Sequence, residues 1–273
     1  MGLKIAISGK GGVGKTTLTS LLAYHFAQQG PVLAIDADPS PCLGQALGFS
    51  DEELIDIQPI AAMSDLIAER TGSDPRNGGG GVFKLNPRVD DLPERCALHR
   101  NNLHLLLLGA VQEGGAGCIC PQSALLKQLL RHVLLARNEV VLLDLYAGVE
   151  HLGRATAEAV DVMVMVAEPT RRSIRTVRQI AALAADVGIE RLALVGNKVE
   201  RPEDRTFFQE AAAGLPIAGM LPVTGHALRA DRSGTPLYHL AENLHPEVTS
   251  IAQFLAQLNS GTDTPSNQEP SHV

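Results

Sequence analysis

Residues 9 to 17 read Gly9-Lys10-Gly11-Gly12-Val13-Gly14-Lys15-Thr16-Thr17, directly after the apolar run Leu3 to Ser8 and directly before the helical pattern Leu18 to Gln29. Strand, glycine-rich turn and helix in that order make a phosphate-binding loop. The glycines let backbone N–H groups curl around phosphate oxygens, and the helix turns its positive end toward them. Lys15 is placed to reach the β and γ phosphates, and the Thr16 hydroxyl to ligate Mg²⁺. A second lysine, Lys10, stands near the start of the loop, where ordinary versions of the motif tolerate almost any residue. That lysine marks a subclass.

The rest of the chain suits this reading. At 273 residues it accommodates one large α/β domain, taken here as residues 1–258. Its 23 Lys and Arg against 30 Asp and Glu leave a net charge of −7, which argues against a protein whose main task is gripping nucleic acid. No charged segment followed by a long apolar run opens the chain, and no apolar stretch approaches the roughly 20 residues that span a bilayer, so a cytoplasmic protein with no membrane partner is expected. There its four cysteines, Cys42, Cys96, Cys118 and Cys120, stay reduced and suit metal or redox chemistry better than disulfides.

Short apolar runs with the character of doubly buried strands recur at Leu3 to Ser8, Val32 to Asp36, Leu103 to Leu108, Val140 to Asp144, Val162 to Ala167, Leu192 to Asn197 and Ile217 to Leu221. Helix-length segments separate most of them. Ile174, Val177, Ile180, Ala181, Ala184 and Val187, for example, have the spacing of one apolar helix face. The expected fold is therefore α/β, a doubly wound, mainly parallel sheet with helices on both faces, the P-loop NTPase fold. Residues 49–102 break the rhythm and read as an insertion of helix, loop and short strand. From Asn259 to Val273 polar residues dominate, which predicts a disordered tail.

In open parallel sheets ligands sit at the carboxyl ends of strands. The second run ends in Asp36-Ala37-Asp38-Pro39, which fits Asp36 near the water shell of Mg²⁺ and Asp38 orienting the attacking water, although Asp38-Pro39 also suits a plain turn. The fourth run ends in Asp144, a further Mg²⁺ residue, and Gly148 offers a backbone N–H to a γ-phosphate. Asn197-Lys198 follows another strand, and its amide has the groups to read the edge of a purine base.

Together these residues resemble the deviant phosphate-loop ATPases that include MinD, ParA, the nitrogenase iron protein and the arsenite-pump ATPase. The resemblance implies an ATP-dependent homodimer in which Lys10 reaches the partner's nucleotide and supplies transition-state charge, as an arginine finger does. Lys10, Lys15 and Asp38 are then the catalytic residues. Gly117-Cys118-Ile119-Cys120 sits in a glycine-rich loop before the helix of Ser123 to Leu135. Two thiolates leave a soft or borderline ion short of the usual four ligands, and a symmetric dimer supplies the other two. With Asp36 to Pro39 running on to Cys42-Leu43-Gly44, Ala147 to Leu152, and Ala167-Glu168-Pro169, this loop resembles the CooC group of nickel-insertion ATPases. That likeness implies ATP/ADP and Mg²⁺ as cofactors, Ni²⁺ or Zn²⁺ on Cys118 and Cys120, and a nickel–iron carbon monoxide dehydrogenase as client.

Two other classes compete. A spatial-organisation ATPase of the MinD or ParA type needs an amphipathic terminal helix or a basic surface, and this sequence has neither. An electron-transfer protein like the nitrogenase iron protein uses two cysteines far apart, whereas Cys118 and Cys120 are two residues apart and suit one ion better than a four-iron cluster. Among smaller groups, His99 and His104 are expected to be solvated or hydrogen-bonded, and Arg171, Arg172 and Arg175 to form a solvated face. Glu150-His151 is read as a switch element or a helix first turn, and Cys42 as a thiol near the nucleotide site.

Overall fold

The seven apolar runs form one sheet, and an eighth, short strand joins its edge. In the computed structural model the described residues are 2–77, 82–109, 120–146, 154–212 and 214–261. The strands are β1 (Lys4–Gly9), β2 (Val32–Ala37), β3 (Leu98–Arg100), β4 (Leu103–Leu107), β5 (Val140–Leu145), β6 (Val162–Ala167), β7 (Leu192–Val199) and β8 (Ile217–Pro222). They lie in the order β3-β4-β2-β5-β1-β6-β7-β8. All pairs are parallel except β3 with β4, the short strand expected within residues 49–102.

The helices are α1 (Lys15–Ala27), α2 (Leu43–Ala46), α3 (Asp51–Ile55), α4 (Ser64–Thr71), α5 (Leu92–Cys96), α6 (Pro121–Ala136), α7 (Arg154–Ala157), α8 (Arg171–Asp186), α9 (Pro202–Ala211), α10 (His226–Ser233), α11 (Leu237–Leu240) and α12 (His245–Ser260). The helix reaching Ser260 corrects the expected start of the tail. Asn259 and Ser260 remain helical, and Gly261 at φ 68° ends the helix in the left-handed conformation that favours glycine. The rest of the expected tail, 262–273, lies outside the described residues.

Alternation along the strands divides the core between two faces. Leu33, Ile35 and Ala37 of β2 pack on one side with Leu125, Leu129 and Val133 of α6 and Ile174, Val177 and Ile180 of α8. Val32 and Ala34 face the other side with Ile5 and Ile7 of β1, Leu18, Leu21 and Leu22 of α1, and Val248 and Ile251 of α12. Both faces are covered, which is why the strand sequences show unbroken apolar runs. α1 is enclosed by the sheet and by α2, α11 and α12, so Leu18, Leu21, Leu22 and Ala23 are all fully buried. Truncating one such leucine to alanine costs about 2–5 kcal/mol. The start of α1, where the phosphate loop delivers its ligand, is therefore a rigid platform.

β1 lies between β5 and β6, and β2 is paired with β5 on its far side. In that register Asp144 is opposite both Ile7 of β1 and Asp36 of β2. The carboxyl ends of β1, β2 and β5 thus converge beside the start of α1, where the direction of strand progression reverses.

Candidate functional site: a phosphate cradle with a cation position

Gly14 precedes α1 with φ 97°, and no side chain caps the helix. A Cβ at Gly14 would stand 2.2 Å from Nδ2 of Asn197, so both backbone conformation and space demand glycine. A Cβ at Gly11 or Gly12, by contrast, would meet nothing within 4 Å. That side of the loop is open. With no cap and no acidic residue in the first turn, the N–H groups that begin α1 are left for an anion.

Two side chains at the end of β7 hold the loop from behind. Asn197 Nδ2 donates to Val13 O at 2.7 Å, and Lys198 Nζ donates to Gly12 O at 2.8 Å while pairing with Glu168. Lys198 adopts φ 58°, and its own N–H donates to Asn197 Oδ1 at 2.9 Å. In a trans peptide the carbonyl and the following N–H point opposite ways. Pinning these two carbonyls toward β7 therefore turns the N–H groups of Val13 and Gly14 away from it. The Val13 N–H donates to Lys10 O at 3.4 Å, a long bond. This arrangement differs from the base-reading role expected of Asn197. One donor and one acceptor of its amide are engaged, and the residue is 8% exposed, so its first task is shaping the loop. Glu168, quoted in the sequence only as part of a resemblance, is the partner that reasoning from motifs missed; its signal is an acid directly after β6.

On the opposite side Thr16 Oγ1 donates to Asp144 Oδ2 at 2.6 Å. Asp144 is buried, and its Oδ1 has no hydrogen-bond partner among the described residues. Burial pushes its carboxyl up to about 7, with the Thr16 hydrogen bond and the Lys15 charge acting the other way. A buried carboxylate oxygen without a partner beside a threonine hydroxyl is a cost that a cation removes. The donor set, all oxygen, fits Mg²⁺. Thr16 and Asp144 would hold it, and the ion would neutralise charge on phosphate oxygens. Lys15, also buried, is the loop's fixed cation.

Asp36 receives a different task from the one expected. Its Oδ1 accepts from Asp38 N at 3.0 Å, and its Oδ2 accepts from Cys42 N at 2.9 Å and Leu43 N at 2.8 Å. Burial raises its pKa, and these three bonds oppose the rise. With most of its acceptor positions filled by its own loop, Asp36 braces the turn of residues 38–43 in preference to facing the cation. Asp38, half-buried, accepts from Ser40 N at 2.8 Å. The brace delivers Cys42 to the site: its Sγ stands 3.6 Å from Thr16 Oγ1, and burial pushes its thiol pKa up. A cavity of about 850 Å³ opens here, lined by Thr16, Thr17 and Ser20 of α1, Cys42 and Gln45, and the end of α10.

Lys10 is exposed at the loop's outer edge. Gly148, Glu150, His151 and Cys118 lie outside the described residues. Cys120 precedes α6 and its Sγ accepts from Ser123 N at 3.4 Å, so one of the two expected metal thiols sits at a helix start. Among the described residues no three His, Cys, Asp or Glu side chains gather as a metal centre. His99 and His104 pair across β3 and β4, Nδ1 to Nδ1 at 2.7 Å. Arg171, Arg172 and Arg175 are exposed, as expected. No described helix is long and apolar enough to cross a membrane.

Inward-turned N–H groups with a lysine, a hydroxyl and a buried carboxylate beside them suit the phosphate chain and cation of a nucleotide, and the chain is a phosphate-loop ATPase. The family model described as CobQ/CobB/MinD/ParA nucleotide binding domain matches residues 4–237, and the protein belongs to that family. It is 44% identical over 240 residues to the carbon monoxide dehydrogenase accessory protein CooC of Rhodospirillum rubrum, covering 88% of this chain and 90% of that one. An uncharacterised ATP-binding protein of Methanocaldococcus jannaschii is 40% identical over 264 residues, covering 95% of this chain and 100% of that one. In fold, MinD of Pyrococcus horikoshii complexed with Mg-ADP superposes with a TM-score of 0.65 at 20% identity, over 96% of this chain and 98% of that one.

Proposed function

We propose that this protein is an ATP-dependent maturation factor that delivers nickel to a carbon monoxide dehydrogenase. The observation that carries the reading is the 44% identity, over 88% of this chain, to a protein named as an accessory protein of carbon monoxide dehydrogenase. The phosphate cradle supplies the ATP part. For the metal part, Cys118 and Cys120 of two chains form a four-thiolate site at a twofold axis, closed when ATP brings the chains together with Lys10 of each at the other's nucleotide. Nickel is cargo here, held while the dimer is closed and released to the client when hydrolysis opens it. Mg²⁺ accompanies the nucleotide on Thr16 and Asp144, Asp38 orients the attacking water, and Gly148 meets the γ-phosphate.

The test is equilibrium dialysis of Ni²⁺ against the purified full chain, with and without ATP, alongside light scattering for mass. One ion per two chains, bound more tightly with ATP and lost in Cys118→Ser, supports the reading. Stoichiometric Ni²⁺ on the Cys118→Ser protein would remove the Cys-x-Cys site, and a chain that stays monomeric with ATP would remove the shared centre.

A further inference from the structure

We propose that His99 and His104 form a metal site of their own, in which their two Nδ1 atoms grip one borderline divalent ion, such as Ni²⁺, Zn²⁺ or Cu²⁺, and clip the edge strand β3 to β4. His104 stands near the start of β4, whereas the phosphate cradle gathers at the carboxyl ends of the strands. The site therefore rests on neither the nucleotide nor the cysteine pair.

The hairpin aims both rings at one point. His99 and His104 are direct partners across the antiparallel pair of β3 and β4, so their side chains leave the same face of the sheet side by side. The turn between the strands is only Asn101-Asn102, with Asn101 at φ 52°, and a turn that short fixes the register. Asn102 is anchored in turn: its Nδ2 donates to Ala27 O at 2.8 Å, and its carbonyl accepts from Val32 N at 2.8 Å. Arg100, the next residue of β3, alternates to the other face and pairs with Glu53. The outcome is an Nδ1-to-Nδ1 distance of 2.7 Å, with the rings at 63° to one another. Two nitrogens bound to one ion at about 2.0–2.1 Å each stand about 2.8–3.4 Å apart, for angles from square to tetrahedral. A small rotation of either ring converts one arrangement into the other.

The surroundings favour a cation. Glu94 of α5 and Glu139, just before β5, both pair with Arg137, so two carboxylates share one guanidinium and leave a negative charge over. Both carboxylates act on His104, raising its pKa, while burial first, then His99, and lastly Arg137 lower it, and the net direction is down. The ring is thus neutral at neutral pH, which is the form that ligates. The hydrogen bond between the rings does not by itself account for the pair, since His99 is exposed and water competes for its nitrogens.

In the ion-free pair one ring donates its Nδ1–H to the Nδ1 of the other. On binding, that proton is exchanged through solvent to Nε2 of its own ring, and each Nδ1 lone pair forms a bond to the ion. Nothing is oxidised or reduced. Waters complete the shell, because among the described residues no third His, Cys, Asp or Glu joins the two rings as a metal centre. Imidazole suits nickel, zinc and copper, whereas Mg²⁺ prefers oxygen and does not compete.

The experiment uses the full chain carrying Cys118→Ser and Cys120→Ser, so that the proposed cargo site is removed and the two readings fail separately. Calorimetric titration with Ni²⁺ at neutral pH should find an ion whose affinity falls about tenfold or more in His99→Gln and in His104→Gln, since losing a ligand costs at least what losing a supporting group does. Cu²⁺ in the same chain should show two imidazole nitrogens by electron spin-echo modulation, and one in either variant. Ni²⁺ should slow hydrogen exchange in the β3–β4 pairing of the paired-histidine chain and leave His104→Gln unaffected, and its binding should weaken at pH 5.5 as the rings take up protons. No uptake of Ni²⁺ in this background, or unchanged Ni²⁺ affinity in both glutamine variants, overturns the site and leaves the cysteine pair and the phosphate loop untouched.

Discussion

Replacing Asp144 by Asn should stabilise the nucleotide-free protein at alkaline pH while removing the cation position. Asp144 is 2% exposed. Its carboxyl rises from the ordinary 3.8 to about 7, chiefly by burial and secondarily through Asp36 and Asp38, against the pull of Thr16 and Lys15. A carboxyl raised on folding binds its proton more tightly in the folded chain. Its contribution to stability therefore falls as pH rises from about 4 to about 7, carries no penalty below that window, and carries the full penalty above it. Three units at about 1.36 kcal/mol each amount to a penalty on the order of 4 kcal/mol at pH 8, and roughly 1.6 kcal/mol at pH 5. Asparagine keeps an oxygen for the Thr16 hydroxyl and has no charge to desolvate. Urea denaturation with a chelator present should thus find the variant more stable than the wild type, with the gap widening by roughly 2–3 kcal/mol from pH 5 to pH 8. Adding Mg²⁺ and ADP should reverse the order, because the ligand stabilises the wild type by mass action and reaches the variant weakly. An Asn variant less stable than the wild type at pH 8 without nucleotide, or a gap independent of pH, would refute the argument that an uncompensated carboxylate sits there.

Lys198→Met removes the donor to Gly12 O, and Glu168→Gln weakens the pair that orients it; ADP affinity by calorimetry should fall about tenfold in the first and less in the second, near the low end of the about 1.5–3 kcal/mol of a charged hydrogen bond, and unchanged affinity in Lys198→Met would separate β7 from loop shape. Lys15→Ala should lose nucleotide binding, whereas Lys10→Ala should bind ADP as a monomer and fail to dimerise with ATP; full ATP-driven dimerisation of Lys10→Ala in light scattering contradicts its action on the partner. Burial, then His99, lowers the His104 pKa, with Glu139 and Glu94 raising it and Arg137 lowering it. A lowered histidine leaves the folded state intact above the unfolded value near 6.5 and costs stability as pH falls below it. Hydrogen-exchange protection of the β3–β4 pairing should therefore weaken from pH 7 to pH 5.5 more in the wild type than in His104→Gln, and equal slopes would count against the pair.

The sheet is readable in the sequence because each strand is buried on both faces and shows as an unbroken apolar run. β3 is not so marked: it is three residues at an edge, Leu98–Arg100, half-exposed and antiparallel. The phosphate loop is readable because its chemistry is local, a strand, glycines and a helix start within one stretch. The work of Asn197 and Lys198 is not local. It depends on β6 setting the register between β1 and β7, and on a left-handed Lys198 at φ 58°, which no pattern around Asn-Lys announces. The same holds for Cys42. Its place beside Thr16 follows from Asp36 gripping a turn six residues on, so a residue type expected at the cation becomes the brace and a thiol read only as nearby becomes a neighbour of the hydroxyl.

Asp36 also ties the phosphate end to the described residues that flank the segment bearing Cys118. Its side chain holds the 38–43 turn, while its backbone carbonyl accepts from Leu108 N at 2.9 Å and Gly109 N at 3.3 Å, the last described residues before Cys118. On the far side of residues 110–119, Gln122 at the start of α6 donates to Ala61 O, and Ala61 N in turn donates to Leu108 O at 3.0 Å. The two ends of the cysteine-bearing segment are thereby tied to one another through Ala61, and to the nucleotide site through Asp36. The loop of Gly9 to Lys15 is already shaped by β7 before a ligand arrives, so its own rearrangement is a poor signal. Asp38 donates its N–H to Asp36 Oδ1, so a displacement of Asp38 that breaks this bond bears on the residue that also holds Leu108 and Gly109. On the proposed function, reciprocity requires that cargo metal tighten ATP by the same factor that ATP tightens the metal, and Asp36 is the described residue that connects the two ends.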